Sequence, residues 1–366
     1  MIIFLIILLA LVLLFILFIR QPKFGKSPSG KRLDRIRQSP HFRRGKFQNL
    51  NPTPQFTEGY TMRRVMYDYF FKQKPHRKPS LSIPAVKTTL KDLPAGQDLL
   101  VWFGHSSYYL QVNGKKILVD PVFSGNASPL PGTNTAFKGA DAYTVSDLPF
   151  IDYLLITHDH YDHLDYHTIT GLKDKVGKVI TGLGTGAHLE RWGYAPEIII
   201  EKDWYEKEVL TPDMVLHITP ARHFSGRGFT RNNTLWVSFV LQAKDLRLFL
   251  GGDSGYDTHF AETGRRFGPF DLAILDNGQY NEAWRLIHAH PEENLQAAKD
   301  LQAKRMMPVH SGKFAMANHT WDEPLNMITA LNENGQPVPL LTPRIGEIVY
   351  LRDEAQHFDS WWKELK

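Results

Sequence analysis

Apolar residues fall along this chain in two regimes. From Ile2 to Ile19 every position is apolar. As a helix that run is about 27 Å long, enough to cross a hydrocarbon core. It has no polar face, so it does not read as a core helix of a soluble domain. No basic residue precedes it, it exceeds the usual apolar part of a secretory signal, and no small-x-small site follows it. The reading is an uncleaved transmembrane anchor over residues 1–19. Polar residues dominate afterwards, and prolines at 22, 40, 52 and 54 argue for an extended tether from residue 20 to about residue 60. Within the polar stretch, "YTMRRVMYDYFF" (60–71) has the spacing of a short amphipathic helix.

From about residue 97 short apolar runs alternate with turn residues. "DLLVWFG" predicts a strand, and "SSYYLQVNGKKILVDP" predicts two strands around Asn113-Gly114, a hairpin dipeptide. "FIDYLLIT" (150–157) predicts a buried strand. Further strands are expected at "GKVIT", "PEIIIE", "DMVLHITPA", "LWVSFVLQ", "LRLFLGG", "FDLAILD", "KRMMPVH" and "EIVYL". Helices are expected at "YHTITGL", "TGAHLERWG", "THFAETGRRFG", "PEENLQAAKDLQA" and "WDEPLNMITALNENG". Strands come in runs early in each half and then alternate with helices. That order favours an α/β domain of two sheets packed face to face with helices outside. The expected organisation is an anchor over 1–19, a basic tether and extension over 20–90, and one globular domain over 91–366.

Composition adds little to this for the globular part. In 366 residues, 42% hydrophobic and 22% charged, there is ample material for a core. Charge matters at the N-terminus. Arg20, Lys23, Lys26, Lys31, Arg32, Arg35, Arg37, Arg43, Arg44 and Lys46 face a single acid, Asp34, before Glu58. By the positive-inside rule this side stays cytoplasmic, which makes the chain a single-pass membrane protein with its globular domain on the cytoplasmic face. Such a run also attracts anionic headgroups, at about 1 kcal/mol per basic residue near the surface. Nucleic acid is not the expected partner, because the run abuts a membrane anchor. The chain has no cysteine, which excludes disulfides, thiolate metal sites and a cysteine nucleophile. Any metal must be held by nitrogen and oxygen.

Candidate chemistry concentrates in "LLITHDHYDHLDYH" (154–167), just past a buried strand. His158, His160, Asp162 and His163 can converge there, because the strand fixes the backbone and the turn aims the side chains. His223 after "VLHITPAR", Asp253 in "LFLGGDSG" and His310 in "RMMPVHSG" occupy the same kind of strand-end position. Together they form a set of seven nitrogen and oxygen donors. Two cations held so would lower the pKa of water and stabilise negative charge on oxygen, which points to hydrolysis of a carbonyl or phosphorus ester. No serine nucleophile is then needed, and Ser106, Ser107, Ser254 and Ser311 read as turn or supporting residues. Asp159 and Asp165 read as solvated or helix-capping.

"THDHYDHLD" is the HxHxDH signature, and here the sequence resembles the metallo-β-lactamase fold superfamily. The resemblance implies a four-layer αβ/βα sandwich and two Zn²⁺ ions. One would be held by His158, His160 and His223, the other by Asp162, His163 and His310, with Asp253 bridging. "WFGHSS" and "LVDPVFS" look like segments lying beneath such a site, so His105 and Asp120 are expected to support the ligands from behind. "DPVFSGNASPLPG", "GGDSGY", "RRFGPFDLAIL", "AHPEENLQA" and "VHSGKFAMANHTWDEPL" narrow the resemblance to the N-acylphosphatidylethanolamine-hydrolysing phospholipase D family, over roughly residues 95–350. That family cleaves a phosphodiester to give phosphatidic acid and an N-acylethanolamine, so the implied partners are a bilayer and a lipid substrate. Asp162, Asp253 and His288 are then the residues expected to carry the reaction, His288 through phosphate contact or leaving-group protonation. Trp284, Phe314 and Trp321 are expected to line an acyl groove.

Two departures stand out. "DNGQYNEAWRLIHAH" is only loosely like the family's loop, and Ser311 stands where an aromatic residue is usual. The rival on the same scaffold is a hydrolase of a soluble ester, lactone or phosphodiester. A rival of another class is a dinucleotide-binding protein, from Gly182, Gly184 and Ala187 with Glu201 beyond them. It leaves the seven-donor set unexplained.

Overall fold

Ile2–Ile19 forms one helix, α1, none of whose residues is buried. The computed structural model describes residues 1–72, 74–335 and 337–365. The segment after α1 departs from the extended tether that its prolines suggest. Gly30–Arg37 forms helix α2, and Phe42–Arg43 (β1) pairs with Lys46–Phe47 (β2). Ile36 and Phe47 are fully buried against the main domain. Arg32 pairs with Glu190 at 2.7 Å and Glu201 at 2.5 Å. Two apolar side chains and one arginine thus dock the segment as a strap, and such isolated anchors leave no periodic trace. Met62–Phe71 then forms helix α3, with the Thr61 side chain accepting from the Arg64 N–H as its cap.

The main domain holds two sheets. In the larger, Leu99–Trp102 (β3), Tyr108–Val112 (β4) and Lys115–Val119 (β5) run antiparallel. Ile151–Ile156 (β6), Val176–Gly182 (β7) and Ile199–Lys202 (β8) follow β5 in parallel. The β4–β5 turn has positive φ at both Asn113 and Gly114, as a two-residue hairpin of this kind requires. In the smaller sheet, Lys207–Thr211 (β9), Met214–Thr219 (β10), Ser238–Ala243 (β11) and Leu246–Leu250 (β12) are antiparallel. Leu272–Asp276 (β13) and Met306–Val309 (β14) continue in parallel with β12. Ile348–Tyr350 (β15) returns to the larger sheet and pairs with β3.

Alternation along the smaller sheet shows why both its faces are dry. Phe239, Leu241, Leu248, Leu250, Ile274 and Met307 point into the core shared with the larger sheet. Val240, Phe249, Ala273, Leu275 and Met306 point the other way, into a second core. Helices His259–Phe267 (α6), Pro291–Asp300 (α7) and Glu323–Glu333 (α8) close that outer core through Phe260, Leu295, Ala298 and Ile328. Tyr166–Leu172 (α4) and Gly186–Arg191 (α5) flank the larger sheet. The result is the αβ/βα layering. Each large side chain so buried contributes about 1.5–3 kcal/mol. Strands β10, β12, β13 and β14 all run in one direction, so their carboxyl ends share a rim.

Candidate metal centre

That rim, with the carboxyl end of β6, brings the seven donors together. His158, His160, Asp162 and His163 lie on the loop after β6, while His223, Asp253 and His310 follow β10, β12 and β14. His158 Nε2 lies 2.9 Å from His160 Nδ1, and His223 Nε2 lies 3.2 Å from the same atom. Asp253 stands between two groups. Its Oδ2 is 3.7 Å from both His158 Nε2 and His223 Nε2, and its Oδ1 is 3.1 Å from His163 Nε2 and 3.2 Å from His310 Nδ1. Asp162 Oδ2 lies 3.4 Å from His163 Nε2.

Groups behind the donors set their orientation. Ile287 O accepts from His223 Nδ1 at 2.9 Å, so Nδ1 carries the hydrogen and Nε2 presents a lone pair inward. Asp120 Oδ2 accepts from His163 Nδ1 at 2.8 Å, and it accepts also from the Thr157 hydroxyl. His105 Nε2 meets Asp162 Oδ2 at 2.9 Å, and Ser106 Oγ meets His310 Nδ1 at 2.9 Å. His105 also falls within one donor group with Asp162, His163 and His310. The backbone bends sharply to make these contacts. His105, Asp120 and His310 all have positive φ, a conformation costing non-glycine residues about 1–3 kcal/mol each.

Electrostatics decide what this cluster can hold. Burial, and then neighbouring imidazoles, push His158, His223 and His310 well below the usual histidine range. Burial brings His160 down to about 4. These rings are therefore neutral donors at pH 7. Burial also lifts the Asp253 carboxyl to about 6. Among the described residues, His163 Nε2, His310 Nε2 and Asp253 Oδ1 are buried with no hydrogen-bond partner. Lone pairs converging at such distances repel unless a cation lies among them. A buried set of imidazole and carboxylate donors fits divalent metal. Three overlapping groups could each hold an ion: His158, His160, His223 and Asp253; His105, Asp162, His163 and His310; and Asp253, Asp276, His288 and His310.

A cleft of about 300 Å³ opens directly over the cluster. Its floor includes His160, Asp162, His223, Asp253, His288 and His310, and its walls include Met62, Val65, Phe224, Trp284, Ile287 and Met316. His288 gives its Nδ1 to Asp276 Oδ2 at 2.8 Å. Of the three aromatics expected along an acyl groove, only Trp284 lines the cleft. Phe314 packs edge-on beneath the His105 ring at 5.3 Å, and Trp321 joins Trp361 in a buried C-terminal cluster. Asp165 caps α4. Asp159 is not solvated: it is buried, meets His188 Nε2 at 3.2 Å and accepts from the Gly226 N–H and the Thr234 hydroxyl.

Several supporting residues escape a reading of the sequence. Asp276 ends a strand as Asp253 nearly does, and that position was its only signal. Gln279 braces the His310 loop, its amide donating to His310 O and Phe314 O and accepting from the Met316 and Ala317 N–H groups. Asn49 of the strap bonds the backbone of His223 in both directions. Buried Arg227 donates to Asp159 O and Leu164 O across the HxHxDH loop and to Lys23 O in the strap. The glycine-rich turn after β7 is not a phosphate cradle. Glu201 Oε1 already accepts from the Gly184 and Gly186 N–H groups, and a Cβ at Gly182 would meet Leu235 O at 2.1 Å.

Comparison with known proteins agrees with this architecture. A family model described as a beta-lactamase superfamily domain matches residues 115–311. An uncharacterised protein of Mycobacterium tuberculosis is 35% identical over 331 residues, covering 89% of this chain and 88% of that protein. N-acyl-phosphatidylethanolamine-hydrolyzing phospholipase D 1 of Caenorhabditis elegans is 27% identical over 327 residues, 82% of this chain and 90% of that enzyme. Igni18, a metallo hydrolase of Ignicoccus hospitalis, superposes with a TM-score of 0.52 at 21% identity, over 69% of this chain and 97% of that one, and shares the fold.

Proposed function

The chain belongs to the β-lactamase superfamily of metal-dependent hydrolases, and from that premise we propose that it is a membrane-anchored di-zinc phosphodiesterase. Its proposed substrates are phospholipids of the N-acylphosphatidylethanolamine type, cleaved to phosphatidic acid and an N-acylethanolamine. The observation that carries this reading is the apolar-walled cleft set directly on the donor cluster. The name of the Caenorhabditis elegans relative and the apolar helix α1 support it.

His158, His160 and His223 would hold one ion, Asp162, His163 and His310 the other, and Asp253 would bridge them. Bound there, the pair supplies acidified water and positive charge for the oxygen that becomes negative. The protein residues do the rest. Ile287 O keeps the inward nitrogen of His223 free of hydrogen, and Asp120 fixes the orientation of the His163 ring. Asp276 fixes His288 so that Nε2 faces the cleft. From there it contacts a phosphate oxygen or gives a proton to the departing alkoxide. Met62, Val65, Phe224 and Trp284 hold acyl chain and exclude water from the reacting phosphorus. Helix α1, with the basic residues after it, would fix the domain at the cytoplasmic face.

The test is turnover of N-acylated phosphatidylethanolamine in mixed micelles by zinc-loaded full-length protein. Release of N-acylethanolamine is expected. Its absence, together with hydrolysis of a water-soluble ester or phosphodiester that persists without residues 2–19, would overturn the lipid assignment in favour of a soluble substrate.

A further inference from the structure

Helix α3, unlike α2 and α4–α8, has no buried residue. Met62, Met66, Tyr67, Phe70 and Phe71 stand from 47% to 75% exposed. A surface helix in water normally turns such residues inward. The inner side of α3 is already committed, because Met62 and Val65 form part of the wall of the cleft over the donor cluster. The remaining apolar side chains, Met66, Tyr67, Phe70 and Phe71, stand exposed on the same helix.

The surroundings of α3 indicate what covers them. Arg63, Arg64, Lys72, Lys74, Arg77 and Lys78 lie on or just after the helix, where Asp68 is the one acid of the segment; Lys74 also pairs with Glu323 at 3.0 Å. Asp68 is already shared between Arg64 and Lys72. An apolar face edged with cations is the pattern of a helix lying in the interface of an anionic bilayer. Helix α1 is the nearest source of such a surface. Its end packs near the HxHxDH loop, with the Phe24 ring 6.3 Å from Tyr161 and Phe18 5.2 Å from Phe24. Phe229, 81% exposed, stands beside it against Phe15. Exposed apolar groups thus stand both on α3, which lines the cleft, and beside the segment packed on the HxHxDH loop.

We propose that α3 is an interfacial helix that seats the mouth of the active site on an anionic lipid surface, through Met66, Tyr67, Phe70 and Phe71. This deepens the lipid reading of the site and rests on it: a lipid would pass from the bilayer past Met62 and Val65 to the donors without crossing water.

The chain has no cysteine, so single cysteines can be placed at will. Nitroxide labels at Phe71→Cys and, as a control, Lys244→Cys would be compared in the full chain, reconstituted in phosphatidylcholine vesicles containing phosphatidylglycerol. Lys244 lies in the turn between β11 and β12, at the end of the sheet away from the donors. The label at 71 should be several-fold less accessible to a water-soluble nickel complex than the label at 244, and more accessible to oxygen. Equal access of the nickel complex to both labels would overturn the proposal. So would spin–spin broadening at position 71, which would mean that a second copy covers the helix. The labels report without turnover, so their failure is separable from failure of the lipid chemistry. A Phe70→Ser, Phe71→Ser double variant provides the second arm. Its KM for vesicle-borne substrate should rise several-fold, with activity on detergent-dispersed substrate unchanged. Unchanged kinetics on vesicles would contradict the proposal.

Discussion

At the scale of single residues, the cluster works through second contacts as much as through donors. Asp120 holds the hydrogen of His163 Nδ1 at 2.8 Å and is itself held by Thr157. Loss of such a supporting carboxylate typically costs about 10–100-fold in metal affinity. Asp120→Asn is therefore expected to lower zinc affinity within that range while leaving the fold intact, read by chelator competition and far-UV circular dichroism. His160→Ala should lose metal outright, because its Nδ1 is the atom on which His158 and His223 converge. The seven donors were legible in the sequence because each sits at or near a strand end, four of them within one short loop. Asp276, Gln279 and Asn49 were not, because their partners lie far away along the chain. The spacing of Asn49 from His223 has no local signature, and only the folded strap brings them together.

Among the elements, the strap is where structure departs most from pattern. Asn49 satisfies the His223 N–H and carbonyl and also accepts from the Trp236 indole. Leaving such groups unpaired costs about 1–3 kcal/mol. Asn49→Ala should lower stability by that amount in urea unfolding and weaken metal binding through His223. The strap should also respond to acid. A hydrogen bond from Arg32 holds Glu190 below its ordinary value of 4.5. A depressed carboxylate stabilises the folded state above that value, and the contribution is lost as pH falls through the folded value. Amide protection in α2, relative to the intrinsic exchange rate at each pH, should accordingly fall in that acid range and stay high near pH 7; flat protection down to full unfolding would contradict it. Most strands were legible as apolar runs between turns. Strand β9 was missed because it is an edge strand whose residues are exposed or half-buried and mostly polar. The strap was missed because Ile36, Phe47 and Arg32 act singly.

For the whole molecule, the order of elements conveyed two sheets with outer helices, and the structure has them. The return of the C-terminal β15 to the edge of β3 could not be read beforehand, since a short apolar run carries no sign of its partner. The purpose of the two sheets is positional. They bring residues from opposite halves of the domain to one rim, where imidazoles and carboxylates face each other with buried atoms unpaired. Such a centre is held together by charge, so chelation should destabilise the domain, with a fall in Tm that added zinc reverses. The most direct measurement is metal content per chain by elemental analysis, on zinc-reconstituted and dialysed full-length protein and on Asp253→Ala. About two equivalents in the parent and a clear loss in the variant are expected. One equivalent or none in a folded parent chain, or an unchanged count without Asp253, would contradict a paired centre bridged by that carboxylate.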